Sequence, residues 1–170
     1  GTYKNQPEPL IPGFLNTIKH GFMKLYPKQY QEKIDTKDNN QLQLTYGVEM
    51  MITNEQELVA VLESIERLSE VGSIEKLRML SEKVRMLESS RPDICEQLGS
   101  RFGYLFTQEQ QKKLFSKLIS WSGCNVLAIH WFERYKIPSC GNLTPLELCQ
   151  TGQVAILLEY VEFIENGGFE

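Results

Sequence analysis

The chain has 170 residues, of which 41% are hydrophobic and 24% are charged, and its formal net charge is −4. This length suffices for one domain with a real core, and the composition is that of a globular protein. No apolar run approaches the roughly 18 residues of a membrane span, so no membrane partner is expected. The negative charge disfavours a nucleic-acid partner, whose binding surface is normally basic.

The cysteines form no CxxC pair and stand at Cys95, Cys124, Cys140 and Cys149. A disulfide framework is not expected in a chain of this size, so we predict reduced thiols and a cytoplasmic protein. The only histidines, His20 and His130, are not spaced with the cysteines as zinc ligands are. His130 is predicted to be a packed or half-exposed helix residue. Because no nucleotide-binding, hydrolase or metalloprotease motif is present, we expect no metal, no cofactor and no enzymatic activity.

Helical periodicity dominates the chain and predicts a mostly α fold of about six to eight helices. Residues 14–25 carry one apolar helical face, and residues 41–52 alternate in a way that suggests a short hairpin. A T-x-x-Q capping box of Thr53 and Gln56 predicts the start of the next helix. That helix is expected to pair with one over residues 74–88, whose mixed-charge face is expected to be solvated.

The middle of the chain contains three further predicted helices. One is expected to begin at Pro92, continue to Phe102 and stop at Gly103. The next follows a second T-x-x-Q pattern, at residues 107–110, and is expected to end near residues 121–123. Asn125 is expected to cap the third with its side chain.

The stretch C-G-N-L-T-P-L-E-L-C-Q-T-G, residues 140–152, has the residue order that begins and ends a short helix. Thr144 is a good N-cap, Pro145 suits the first helical position, and Glu147 at the third position completes a capping box. Gly141 and Asn142 suit the preceding turn because both tolerate positive φ. We therefore interpret this stretch as helix boundaries, and not as a metal or nucleophile site.

The last predicted helix, residues 153–166, is apolar over most of its circumference. It carries two adjacent apolar stripes, Val154, Leu157, Leu158, Val161 and Ile164 in one, and Ile156, Tyr160 and Phe163 in the other. Such a helix must be buried on more than one side, within the chain, in a homodimer or against another partner. Residues 137–170 contain five acidic residues and no Lys or Arg, so this end is the acidic part of the protein.

Four features follow one another near the C-terminus: A-I-H-W-F, I-P-S-C-G-N-L-T-P-L-E-L, a T-G step, and L-L-E-Y-V-E-F-I-E-N-G-G-F-E. In this order they resemble the toxin-binding C-terminal domain of bacterial MbcA/ParS/Xre-type antitoxins. The resemblance is close over residues 128–169 and extends to about residue 107, which predicts an N-terminal helical region (1–106) and a toxin-binding helical domain (107–170). The sequence departs from the family at Ile137, where asparagine is usual, and at Asn142, where glycine is usual.

The resemblance implies an antitoxin or immunity protein that inhibits a RES-type toxin, an enzyme that consumes NAD or transfers ADP-ribose from it. The last helix and tail would cover the active-site entrance of that toxin. The residues assigned to partner binding are Tyr160, Phe163, Ile164, Asn166, Gly167, Phe169 and Glu170. An acidic C-terminal end suits a basic pocket for an anionic dinucleotide.

Two alternative functions remain open at the level of sequence. The first is a DNA-binding transcriptional regulator, although the helix-turn-helix of the family is not visible in residues 1–106. The nearest candidate is the helix break at residues 71–73, whose second helix mixes basic and acidic residues. The second alternative is a helical adaptor that binds another protein.

Overall fold

A computed structural model of the chain describes Tyr26, residues 51–71 and residues 74–167. These residues form a compact all-α domain of seven α-helices and three short 3-10 helices, with no strand among them, which confirms the predicted fold class. The predicted apolar face over residues 14–25 and most of the suggested hairpin at 41–52 lie outside the described residues. None of the helices in the described ranges combines the length and the apolar character that a membrane span requires.

The first two described helices, α1 (Glu55–Val71) and α2 (Ile74–Ser90), pack against each other as expected. The predicted cap of α1 is wrong by one residue. The Asn54 side chain accepts from the backbone N–H of Glu57 at 2.8 Å, and the Glu57 carboxylate accepts from the backbone N–H of Thr53 at 2.7 Å. Asn54 and Glu57 take the place of the predicted Thr53 and Gln56, because the Glu57 carboxylate puts a negative charge at the positive end of the helix.

The single helix predicted from Pro92 to Phe102 is also wrong. The structure has a 3-10 helix at Pro92–Ile94, then α3 at Leu98–Phe102, then a 3-10 helix at Gly103–Leu105. The backbone between the first two is extended at Cys95 and Gln97. α3 begins afresh because the Leu98 N–H donates to the side-chain oxygen of Asn125, at 2.9 Å, instead of to a carbonyl one turn earlier.

The C-terminal half contains four helices: α4 (Gln108–Ser122), α5 (Asn125–Arg134), α6 (Pro145–Gln150) and α7 (Val154–Glu165). A 3-10 helix at Pro138–Cys140 precedes α6. The capping boxes predicted for α4 and α6 are confirmed, with both reciprocal hydrogen bonds present in each. α4 ends at Gly123, which adopts the left-handed conformation (φ 95°) that glycine accepts at little cost.

α5 is the central helix of the core. Every residue from Val126 to Phe132 is buried, and α5 contacts α2, α3, α4 and α6. The Phe132 ring stacks on Phe102 with 4.4 Å between centroids, so the large aromatic residues of α5 are core residues. Residues on both sides of the predicted boundary at 106/107 share this core.

Two residues on the polar face of α2 are bound within the fold, so the expectation of a simply solvated face is wrong for them. Arg85 donates to the carbonyl of Ser122 at 2.9 Å and to the carbonyl of Tyr26 at 2.8 Å. The Glu88 carboxylate accepts from the backbone N–H groups of Asn125 and Val126. Glu88 of α2 therefore caps α5, and the predicted side-chain cap by Asn125 is wrong because that side chain bonds Leu98 and Glu88 instead.

Candidate partner-binding surface

The segment before α7 fixes where that helix begins. Gly141 (φ 71°) and Asn142 (φ 61°) form the predicted turn with positive φ. Thr144 and Glu147 then exchange hydrogen bonds of 3.1 and 2.9 Å at the start of α6, with Pro145 in the first turn.

The connection from α6 to α7 is a tight turn closed by backbone hydrogen bonds. The N–H of Gln153 donates to the carbonyl of Leu148 at 2.8 Å and so holds the start of α7 against α6. The N–H of Gly152 donates to the carbonyl of Cys149 at 3.2 Å in the same turn. These two hydrogen bonds close the turn that joins α6 to α7.

The inner side of α7 belongs to the core of the protein. Leu157, Tyr160, Val161 and Ile164 are buried, which accounts for most of the first predicted stripe and for one member of the second. Two residues of the predicted partner-binding set, Tyr160 and Ile164, therefore pack inside this chain. In this structure their contribution to a binding surface is to hold α7 in place.

The opposite side of α7 is exposed and is called the outer face below. It consists of Ala155, Ile156, Glu159, Glu162, Phe163 and Asn166. Ile156 is 41% exposed and Phe163 is 46% exposed. They are seven residues apart, which is two helical turns or about 10 Å along the axis. Helical spacing already places Ile156 on the same face as Phe163, although the resemblance does not assign it to partner binding.

The outer face carries unpaired negative charge. Glu159 and Glu162 form no ion pair with any other described residue, whereas Glu165, on the edge of the helix, pairs with Lys117 of α4. A groove of about 260 Å³ separates α4 from α7, with Lys113 and Lys117 on one side and Glu162 on the other. The outer face is therefore an exposed apolar pair with two carboxylates along one side of it, and the lysines of α4 lie beyond Glu162.

The remaining predicted residues lie at the ends of this region. Asn166 and Gly167 are exposed, and Gly167 (φ 94°) ends the helix. Phe169 and Glu170 lie outside the described residues. Of the capping residues, Thr144 and Pro145 are buried and Glu147 is exposed.

His130 is a packed core residue, as predicted. Its Nδ1 and the Tyr26 hydroxyl share a hydrogen bond of 2.5 Å, and its Nε2 lies 3.9 Å from a carboxylate oxygen of Glu66. Burial lowers the pKa of His130 to about 4, so the ring is neutral near pH 7 and the approach to Glu66 is not an ion pair there. Burial also raises the pKa of Tyr26.

Two of the cysteine thiols, Cys124 and Cys149, lack the environment of nucleophiles. None of the four is joined in a disulfide. Burial raises the pKa of Cys124 to about 12 and that of Cys149 to about 11, and burial raises the pKa of Cys95 as well. Because the thiolate is the reactive form, Cys124 and Cys149 are poor nucleophiles at neutral pH. Within the described residues, no group of three or more His, Cys, Asp and Glu side chains could hold a metal ion.

The helix break at residues 71–73 does not separate the two short helices of a helix-turn-helix. α1 and α2 each have 17 residues and pack on each other. Arg85, one of the basic residues available for phosphate contacts, is instead bound to two backbone carbonyls of this protein. This packing weakens the DNA-binding alternative.

Comparison of the chain with protein families, with curated proteins and with solved structures finds no match.

Proposed function

We propose that this chain is an antitoxin or immunity protein that binds a RES-type toxin through the outer face of α7 and acts by binding, not by catalysis. The observation that carries the proposal is the exposure of Ile156 and Phe163 on the same helix face as the carboxylates of Glu159 and Glu162. The sequence resemblance supplies the class of partner, and the tail that follows α7 would lie over the toxin's active-site entrance.

The apolar pair can provide the contact energy. Complete burial of a Phe or Ile side chain contributes about 1.5–3 kcal/mol, and nearly half of each side chain is still available for burial. Aromatic residues at the centre of an interface, surrounded by polar groups that exclude water, are typical binding hot spots. Phe163, with exposed Glu159 and Asn166 one turn away on either side along the helix, is the candidate for this role on the outer face.

The carboxylates can provide orientation and a fast association. A toxin pocket that binds an anionic dinucleotide is expected to be basic, and an acidic surface is steered toward such a pocket. The same charge disfavours a homodimer through α7, because two outer faces would bring like charges together.

The attachment of α7 reduces the entropic cost of binding. Its inner residues are buried, the α6 cap and turn hold its first residue, and the ion pair between Lys117 and Glu165 holds its last turn. A surface that is already ordered before binding loses less conformational entropy in the complex.

The test is protection of growth during co-expression with a candidate RES-type toxin, together with the affinity of the purified pair. We expect Phe163→Asp to abolish protection and to weaken binding at least roughly tenfold, since it places a charge in a desolvated contact. Tyr104→Asp is the matched control, because Tyr104 is an aromatic residue that is 77% exposed and lies outside α7.

Tyr104→Asp is expected to protect as well as the unchanged chain. Full protection by Phe163→Asp, with normal folding by circular dichroism, would refute the assignment of the outer face. Removal of residues 167–170 tests the tail separately, and full protection by that truncated chain would refute a tail that covers the active site.

A further inference from the structure

A second surface feature, separate from α7, is a groove of about 330 Å³ between α1, α3 and α5. Its floor is apolar and includes Leu58 and Leu62 of α1 and Val126 and Ile129 of α5. No residue that lines this groove belongs to α7. A ligand in the groove would therefore not occupy the surface that is proposed to bind the toxin.

The rim of the groove is acidic. Glu55, Glu96 and Glu133 line it, and Arg101 is the basic residue among its lining residues. Arg101 contacts two of these carboxylates, Glu96 at 2.8 Å and Glu133 at 3.0 Å. Three carboxylates and one guanidinium leave the rim with a formal charge of −2 at neutral pH, so a basic ligand is complementary to it.

The groove continues along α1 toward its N-terminus. A second cavity, of about 430 Å³, shares Glu55 and Ile94 with the first. Val59, which is 54% exposed, adds apolar surface at the edge. The stretch of α1 from Glu55 to Leu62 covers about 10 Å, or two helical turns. This length and shape fit an elongated segment better than a compact small molecule.

We propose that this groove docks a basic amphipathic helix of a protein partner. Apolar side chains one and two turns apart on that helix would contact Leu58, Leu62 and Val59, as in other complexes where a helix lies in a groove. Lys or Arg side chains beside the apolar stripe would pair with Glu55 and with the outer oxygens of Glu96 and Glu133. Charge complementarity at the rim sets the orientation of the helix.

The test uses the full chain and two synthetic helical peptides of about 14 residues, one built from Leu and Lys and the other from Leu and Glu with the same apolar spacing. Cys95 lines the groove and Cys140 does not, and both are half-buried. We expect the Leu/Lys peptide to bind saturably and to slow alkylation of Cys95 by roughly fivefold or more, with Cys140 unchanged. We expect the Leu/Glu peptide to do neither.

Charge variants separate this groove from the outer face of α7. Glu55→Gln combined with Glu133→Gln is expected to lower the affinity of the Leu/Lys peptide by roughly fivefold, since each exposed ion pair contributes up to about 1 kcal/mol. The matched pair Glu159→Gln with Glu162→Gln on α7 is expected to leave the affinity of the Leu/Lys peptide unchanged.

Three outcomes would each overturn the proposal: binding that leaves Cys95 unprotected, equal binding of the Leu/Glu peptide, or no saturable binding. Because the footprint is measured on the unchanged chain, it decides the question even where a variant fails to fold.

Discussion

Replacement of Glu88 by alanine is expected to destabilise the protein far more than its place on the polar side of α2 indicates. The Glu88 carboxylate accepts three hydrogen bonds at the start of α5, from the backbone and side-chain nitrogens of Asn125 at 2.8 Å each and from the backbone of Val126 at 2.9 Å. It also places a negative charge at the positive end of the central helix.

The magnitude follows from the groups that would lose their acceptor. A hydrogen bond to a charged group contributes a net of about 1.5–3 kcal/mol, and removal of an N-cap costs about 1 kcal/mol. Water can replace part of the carboxylate because the site is only partly buried. We therefore expect Glu88→Ala to lower the free energy of unfolding by roughly 3 kcal/mol, or Tm by roughly 6–12 °C in a protein of this length.

The assay is urea unfolding followed by circular dichroism at about 222 nm, the helical band, with Glu63→Ala as the matched control. Glu63 is exposed on α1, and its replacement is expected to change stability by less than about 0.5 kcal/mol. Glu88→Gln keeps one acceptor oxygen but turns an amide donor toward backbone N–H groups, so it is expected to recover less than half of the loss. If Glu88→Ala lost no more stability than Glu63→Ala, the assignment of Glu88 as the cap of α5 would be refuted.

Two further predictions concern Gly123 and His130. Gly123→Ala is expected to cost roughly 2–4 kcal/mol, because φ is 95° and the new Cβ would lie 2.5 Å from Nε of Arg85, whereas Gly141→Ala, with positive φ but open space, is expected to cost about 1 kcal/mol. If urea unfolding gave equal losses of stability for the two variants, the Arg85 side chain would be shown to move aside without cost. Because the folded pKa of His130 is depressed from 6.5 to about 4, the native state binds fewer protons than the unfolded state between these values. Stability is therefore expected to fall by about 3 kcal/mol as pH decreases from about 6.5 toward 4. His130→Asn is expected to remove that part of the decrease, and parallel pH profiles for the two proteins would contradict it.

The fold could be predicted from the sequence where the cause of a structure is local. The helices, the capping boxes at Thr107 and Thr144, and the turn at Gly141 and Asn142 depend on residues within about four positions of one another. Periodicity failed at residues 92–105. There an Asn125 side chain, 27 residues away from Leu98, decides where α3 begins, and no periodicity in the sequence reports that contact.

Long-range polar contacts were also invisible in the sequence. Glu88 and Arg85 occupy positions that a helical wheel assigns to solvent, yet they bind backbone groups of α5, of the last residue of α4 and of Tyr26. A charged residue next to an apolar stripe has the same sequence pattern whether it faces water or an uncapped helix end. Only the packing of α2 on α5 distinguishes the two.

The division of α7 into an inner and an outer face determines which substitutions can test binding. Periodicity predicted two apolar stripes but not which would be covered, and the structure covers Tyr160 and Ile164 while leaving Ile156 and Phe163 exposed. Loss of protection after replacement of Tyr160 or Ile164 would report damage to the core, since removal of a buried side chain of this size costs several kcal/mol. The same loss after replacement of Ile156 or Phe163, with stability unchanged, would report a lost contact with the partner. Measurement of stability beside protection therefore separates folding from binding on one helix.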